Sequence, residues 1–441
     1  MSSNDALGRL SAALRIKTVS QLPGPDADYT AFDEYIAFIG KEFPVFTKIC
    51  ELERVNGHSL LYRWPGKNPK LEPILFMAHY DVVPADDADG WKHPAFSGEQ
   101  AEGRIWGRGA LDIKSQMTAH FEAAQTLVGE GFTPERDIWF AYGFDEEIGG
   151  ASGAVKSAEH FKKKGIKFAG VLDEGGIVVS GAIKNVKSPV ALVGLGEKGH
   201  VDFTVTARGA GGHSSMPPAT TAIGVLSEYI RRVEKNPMPA RLTETVLSSL
   251  KAMSVEMGTA VQLATGSPAL FGGLLTKILG GTPETNAMVR TTFAATMIQG
   301  GTAANVLPAT ASANINVRLL TGDSSSKVLE HLKKLGEGLA IEVACGPAAE
   351  ASPISPSSGE FYDKLIGDVK AAFPDALLAP YLVMGGTDSR HFYEVCGNVY
   401  RFTPLSVGND EKNTMHNINE SISVDGYLKM IEFFKSFIRK F

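Results

Sequence analysis

Three times in this chain an apolar, strand-like run stops abruptly at acidic or imidazole side chains. Ile74–Ala78 ends at His79-Tyr80-Asp81, Ile138–Tyr142 is followed by Asp145-Glu146-Glu147, and Ala169–Leu172 ends at Asp173-Glu174. Helical patterns separate these runs, so they read as strands of a largely parallel sheet covered on both faces. In open α/β sheets ligand sites lie just past the carboxyl ends of the strands. Three such ends predict one polar pocket, and its His, Asp and Glu side chains suit a metal.

The 441 residues are too many for one ordinary core, so two domains are expected. A helix is predicted over residues 5–20, where Leu7, Leu10, Leu14 and Ile16 fall near helical spacing. Another is predicted over 113–128, with Ile113, Met117, Phe121, Ala124 and Val128 on one face and Gly129 and Gly131 behind it. Between them Gly90-Trp91 and Gly103–Gly109 read as loops with short strands. Near Val193 the character changes. Val201–Ala207 and Ala313–Leu319 alternate with period two, as half-exposed strands do, and helices are predicted over 222–233 and 325–336. These elements suggest a small α+β domain with an antiparallel sheet. The Pro/Ser-rich stretch Ser352–Gly359 reads as its return linker. The expected architecture is therefore α/β: a large domain of residues 1–195 and 349–441, with a mostly parallel sheet flanked by helices, and an inserted α+β domain of residues 196–348.

Composition narrows the class. Hydrophobic residues make up 44% and charged residues 21%, ordinary for a globular protein, and the net charge of −6 argues against a general affinity for nucleic acid or an anionic membrane. The opening MSSNDALGRL has no signal-peptide pattern. The most apolar stretch, Ala269–Leu279, is broken by Gly272, Gly273 and Lys277 and is too short to span a bilayer. Cys50, Cys345 and Cys396 form no C-x-x-C pair and no even set for a disulfide framework, so they read as buried small residues of a cytoplasmic protein.

Each candidate site residue also has an ordinary reading. His79 and Asp81 face the same side of a strand. Asp81 could steady a metal-bound His79 through its second ring nitrogen, or the pair could simply close a strand end. Asp112 opens a helix and could be an N-cap. Of Glu146 and Glu147, one could ligate a metal while the other faces water, or both could be solvated. Asp173 could cap a turn, and His416 could be an idle loop histidine. Taken together, His79, Asp112, Glu147, Asp173 and His416 supply two imidazoles and three carboxylates. That set suits a pair of zinc-like ions with one carboxylate bridging, a pair able to polarise a carbonyl and lower the pKa of water between them.

The segments Ala78–Pro84, Gly107–Lys114, Asp145–Gly150, Leu172–Gly176, Gly212–Ser215, Gly385–Arg390 and Tyr400–Phe402 resemble, in order, those of the di-zinc aminoacylase/carboxypeptidase family. The likeness runs over nearly the whole chain and is closest to the branch of carboxypeptidase S and the N-fatty-acyl-amino-acid synthase/hydrolase. The resemblance implies that His79 and Asp173 hold one ion and Glu147 and His416 the other, with Asp112 bridging. It implies that Asp81 orients His79 and that Glu146 is the general base. It also implies a cis Asp112–Ile113 peptide. From the inserted domain, His213 would stabilise the oxyanion, in some relatives from the partner subunit of a homodimer formed through this lid. Asn305 and Arg318 would bind the substrate carboxylate, and the backbone of Gly385, Gly386 and Thr387 would also reach substrate. Two departures, Ile113 after the bridging aspartate and Asn417 after the last ligand, remove no ligand.

The implied activity is hydrolysis of an amide bond beside a free carboxylate, in an N-acyl amino acid or short peptide. The implied cofactor is two zinc ions, with cobalt or manganese as alternatives. A dipeptidase needing a free amino terminus and a silent binder of amino-acid conjugates are the competing expectations. The stretch Pro268–Leu275 could line an acyl pocket, or be core or subunit interface.

Overall fold

The computed structural model describes every residue except Met1, Ser2, Ala182 and Lys184. The chain opens with helices α1 (Ser3–Arg15), α2 (Thr30–Glu42) and α3 (Pro44–Ile49). It continues through β1 (Glu51–Val55), β2 (Ser59–Trp64) and β3 (Ile74–His79), then the short β4 (Glu99–Ala101) and β5 (Arg104–Trp106). After α4 (Lys114–Gly129) come β6 (Ile138–Gly143), α5 (Ala154–Lys163), β7 (Gly170–Asp173), β8 (Val178–Ser180) and β9 (Val190–Glu197).

The three acid-ended runs are β3, β6 and β7, and every residue in them is buried. They are neighbours: β3 pairs in parallel with both β6 and β7. Alternation sends Ile74, Phe76 and Ala78 into a core shared with α1, α2 and α4, and Leu75 and Met77 into a second core under α5. Burial on both faces is why the runs are continuously apolar rather than alternating.

The inserted domain begins with β10 (Gly199–Arg208), β11 (Gly212–His213) and α6 (Ala222–Lys235). Four further helices follow: α7 (Glu244–Met257), α8 (Thr259–Gly266), α9 (Pro268–Leu279) and α10 (Pro283–Val289). The domain ends with β12 (Thr292–Gly300), β13 (Val306–Leu307), β14 (Thr310–Leu319), α11 (Ser325–Leu335) and β15 (Ile341–Ala349). Strands β12, β14, β10 and β15 form an antiparallel sheet in that order. Its inward residues, Val201, Phe203, Val205, Ile315 and Val317 among them, pack with Leu226, Tyr229 and Val233 of α6 and Val328 and Leu332 of α11.

The return segment adds α12 (Glu360–Ala372), β16 (Leu377–Val383), β17 (Val399–Arg401) and β18 (Ser406–Gly408). Then come α13 (Asn409–Lys412), β19 (Ser421–Ser423) and α14 (Val424–Ile438). The large sheet runs β1-β2-β6-β3-β7-β17-β9-β8-β18, with β16 beside β9. It is mostly parallel, so the expected fold class holds.

The chain crosses between the domains at Lys198 and again near Ala351. Glu197 N–H donates to Ser352 Oγ at 2.8 Å, and Ser352 N–H returns a bond to the Glu197 carbonyl at 3.1 Å. Gly199 lets the crossings touch, since a Cβ there would lie 2.5 Å from Ala351 N.

Two expectations need correction. The inserted segment is not a single unit. Val246, Leu250 and Met253 of α7, with Leu279 and Val289, bury into the large domain's core, and α7 lies against β16. Glu256 at the end of α7 also accepts the N–H groups of Lys187 (2.6 Å) and Ser188 (3.1 Å). An amphipathic pattern shows that a helix buries one face, not which core receives it. The second correction concerns Cys345, which is exposed on β15, while Cys50 and Cys396 are buried as expected. Among the described residues no helix is long and apolar enough to cross a membrane.

If α7 belongs to the large domain's core, Leu250→Ala leaves a cavity there. Its thermal or urea unfolding should show a loss of about 2–5 kcal/mol. A loss below about 0.5 kcal/mol, typical of a surface site, would put α7 outside that core.

Candidate metal centre

Past the ends of β3, β6 and β7 the acidic and imidazole groups converge. His79 Nε2 lies 3.1 Å from Asp112 Oδ1 and 3.1 Å from Glu174 Oε1. His416 Nε2 lies 2.9 Å from Asp112 Oδ2 and 3.1 Å from Glu147 Oε2. Two triads result, His79–Asp112–Glu174 and Asp112–Glu147–His416, each with its donor atoms within 4.8 Å of one another. Asp112 belongs to both, one oxygen toward each imidazole. It is no helix cap: α4 begins after Ile113, without a side-chain cap bond, and the Asp112–Ile113 peptide is cis.

Asp173, expected as a ligand, is not in either triad. Its Oδ2 accepts the Ser389 N–H at 2.9 Å, and its backbone carbonyl accepts from Phe402 N–H at 2.8 Å. The pairing Phe76↔Leu172 puts Asp173 level with Met77, two residues short of His79. The next residue, Glu174, lies just beyond the strand and has the longer side chain, whose Oε1 comes to 3.1 Å from His79 Nε2. Glu174 therefore occupies the place assigned to Asp173. The sequence signal that could have found it is the register of β7 against β3, which a single sequence does not show.

The groups around the triads divide the work. Asp81 is fully buried and in neither triad. Its Oδ1 is 3.3 Å from His79 Nδ1, and its backbone carbonyl is 3.0 Å from the same nitrogen. The same carboxylate accepts the N–H groups of Glu146 (3.2 Å) and Glu147 (3.1 Å) and the Ser20 hydroxyl (2.7 Å). One side chain thus orients both the imidazole and the turn that carries the two glutamates. Glu146 also stays outside the triads, with its Oε2 4.0 Å from His79 Nε2.

So many carboxylates in one buried place disfavour each other's ionisation. Burial, with Glu174, Asp388 and Asp112 adding to it against the pull of His79, holds the Glu146 carboxyl well above the usual range. Burial lifts Glu174 to about 8, with His79 opposing. Hydrogen bonds to Asp112 and Glu147 raise His416 to about 10. Burial works against a charged His79, yet Glu174, Asp112 and Asp81 raise it well above its ordinary value. Protons therefore balance the charge where cations would otherwise do so. Glu147 Oε1 is buried without a hydrogen-bond partner, as a carboxylate oxygen reserved for a cation would be. Nitrogen and oxygen donors in two triads sharing one carboxylate fit a pair of divalent ions.

The sequence profile of peptidase family M20/M25/M40 matches residues 75–440. The chain belongs to peptidase family M20. It is 35% identical to the N-fatty-acyl-amino acid synthase/hydrolase of Mus musculus, over 98% of this chain and 86% of that protein. It is 34% identical to carboxypeptidase S of Saccharomyces cerevisiae, over 99% and 84% respectively. Among solved structures, the M20 family metallo-carboxypeptidase of Sulfolobus solfataricus superposes with a TM-score of 0.73 at 20% identity, covering 98% of each chain. This M20 member is thus a hydrolase of a metallopeptidase family, in the branch its motifs resemble.

The remaining expected residues are spread more widely. His213 and Asn305 lie together in the inserted segment, where β11 pairs β13 and Ser214 N–H donates to the Asn305 carbonyl at 3.1 Å. Both are exposed. Arg318 is half-buried on β14, opposite His200 of β10. Burial lowers its pKa, and the nearby Arg390 of the large domain lowers it further. Thr387 does not fit its expected role. Its N–H and hydroxyl both donate to Glu197, at 2.7 and 3.0 Å, so that N–H is not free for substrate. Gly386 is capped by the Arg390 guanidinium, which a Cβ would approach to 2.2 Å, while Gly385 is open. Pro268–Leu275 is a surface helix rather than core: Leu270, Phe271 and Leu274 are exposed and only Leu275 of its large side chains is buried.

The geometry separates Glu174 from Asp173. Metal analysis of Glu174→Ala should show one bound ion lost, whereas Asp173→Asn should keep the wild-type metal content; the reverse pattern would restore Asp173 as the ligand. Metal loading should also release protons, because neighbouring carboxylates raise the pKa of His79 and lift that of His416 to about 10, and both imidazoles must be neutral to ligate. Calorimetry in buffers of different ionisation enthalpy should give a net proton release on metal binding at pH 7. No release would mean that metals do not enter through these imidazoles.

Proposed function

We propose that this protein is a dinuclear metallohydrolase that cleaves the amide bond of an N-acyl amino acid or short peptide beside a free carboxylate. The observation that carries this reading is the pair of triads sharing Asp112, with a non-ligating Glu146 at their edge. His79 and Glu174 would hold one zinc ion and Glu147 and His416 the other, with Asp112 bridging; cobalt or manganese suits the same donors. Such ions, when bound, polarise a carbonyl and make water nucleophilic at neutral pH.

The chain's own residues do the rest. Glu146 takes the proton of the attacking water on its carboxylate and passes it to the leaving nitrogen. Burial raises its pKa above that of an ordinary carboxylate, which makes it a stronger proton acceptor than a solvated glutamate. Arg318 holds the substrate carboxylate through its planar fork, aided by Asn305 and the open backbone at Gly385. His213 donates to the oxyanion as the tetrahedral centre forms. Lid closure brings these groups to the triads and excludes water.

We further propose that His213 comes from a second copy, paired through the lid. Residues 210–220 around it are exposed throughout, and β12 is a sheet edge with Met297 and Ile298 exposed. The unpaired edge of such a strand is a template for another chain.

Glu146→Gln should retain its metals and lose about 10²–10⁴-fold in kcat, the range for a general base. Wild-type turnover would remove Glu146 from that role. The substrate class is tested by metal-loaded enzyme on a panel of N-acyl amino acids and dipeptides. Hydrolysis confined to substrates with a free amino terminus would make it a dipeptidase, and none at all would make it a binding protein. Mixing Glu146→Gln with His213→Ala tests the second copy. If His213 acts across a dimer, the mixture recovers up to about a quarter of wild-type activity, since half the pairs are mixed and one site in each is intact. Activity no higher than that of the separate variants would place His213 in its own subunit.

A further inference from the structure

Glu420 lies four residues after His416, and its side chain is fully buried. A buried carboxylate is tolerated only where its oxygens are met. Here Oε1 accepts the backbone N–H groups of Gly109 (3.1 Å), Leu111 (2.7 Å) and Asp112 (3.1 Å). Oε2 accepts from Arg108 Nη1 at 2.5 Å, and the Glu420 backbone carbonyl accepts the Gly107 N–H at 2.9 Å. Every residue from Gly107 to Asp112 except Ala110 is thus bonded to this one glutamate. The Arg108 guanidinium is itself held over the Trp91 ring.

The other side of the clamp is equally fixed. His416 and Asn419 adopt left-handed φ values of 58° and 63°, unusual for side chains other than glycine. Asn419 Oδ1 accepts the Lys92 N–H at 2.7 Å. Ser421, the next residue after Glu420, pairs with Trp106 as β19 meets β5. The two loops that carry Asp112 and His416 therefore leave the same strand pair at the same end, and the Glu420 side chain spans the fork between them. Asp81 performs the matching task for His79 and the Glu146-Glu147 turn.

We infer that Glu420, clamped by Arg108, is a positioning residue that fixes Asp112 relative to His416 and so sets the metal affinity of the centre. The inference rests on the reading of the triads as a metal site. The contacts explain why a carboxylate is needed. Three N–H donors converge on one oxygen while a guanidinium takes the other, so a group with donors of its own cannot satisfy both sides. In Glu420→Gln the amide oxygen can still face the three N–H groups, but the NH2 then meets the Arg108 guanidinium, donor against donor.

The experiment is zinc titration against a competing chelator, run on wild type, Glu420→Gln and the double variant Arg108→Gln/Glu420→Gln, with thermal unfolding of each metal-free protein alongside. Glu420→Gln should bind zinc about 10–100-fold more weakly, as for other groups that orient metal ligands. The double variant should recover part of that loss, because an amide oxygen replacing the guanidinium can accept from the new NH2. A purely structural glutamate would lower the metal-free unfolding temperature and leave zinc affinity untouched, which would overturn the inference. Should Glu420→Gln not fold, Glu420→Asp keeps the charge for Arg108 but retracts from the N–H groups, and wild-type zinc affinity there would overturn it equally. Wild type that binds no zinc would sink the metal reading itself, a distinct failure.

Discussion

The site depends on one carboxylate placed between two imidazoles. Asp112 offers one oxygen to His79 at 3.1 Å and the other to His416 at 2.9 Å. Burial disfavours its charge, yet the two imidazoles hold it below the usual carboxylate range. Glu147 and Glu174 extend the same cluster, so the pocket holds more negative charge than buried groups tolerate without cations or protons. The surrounding structure keeps these mutually repelling groups together. Three buried parallel strands bring their ends to one place, and Asp81 ties the ends of β3 and β6 to each other.

The second constraint is mechanical. Glu197, fully buried at the end of β9, accepts from Arg401 Nε at 2.7 Å, from Arg390 at 2.9 Å and from Thr387. The next residue, Lys198, reaches the carbonyls of Ala287 and Arg290, both at 2.9 Å, where the α7–α10 excursion rejoins the lid. Arg241, at the start of that excursion, pairs with Asp323 of the lid at 2.9 Å. The antiparallel-sheet segment is therefore tied to the large sheet at the two crossing segments and again through helices seated on β16.

How much of this was legible varies residue by residue. The parallel sheet and its pocket were readable because β3, β6 and β7 are buried on both faces and each ends in polar groups. The inserted antiparallel sheet was readable from the period-two runs in β10 and β14. Family likeness added Asp112, His416 and His213; the structure brings the first two together with Glu147, while His213 is exposed outside both triads. The choice between Asp173 and Glu174 was not readable, since adjacent residues at a strand end differ only by register, which depends on the neighbouring strand. The seating of α7 on β16 was hidden because amphipathicity carries no address. Glu420 escaped notice for a different reason. Its importance lies in the backbone N–H groups it meets more than 300 positions earlier in the chain, and such contacts leave no local pattern.

The most direct measurement is anomalous diffraction from crystals of the zinc-loaded protein. Two peaks should appear about 3.5–4 Å apart on either side of Asp112, one touching His79 and Glu174 and the other Glu147 and His416. A single peak, or a peak bound by Asp173 in place of Glu174, would contradict the shared-carboxylate centre.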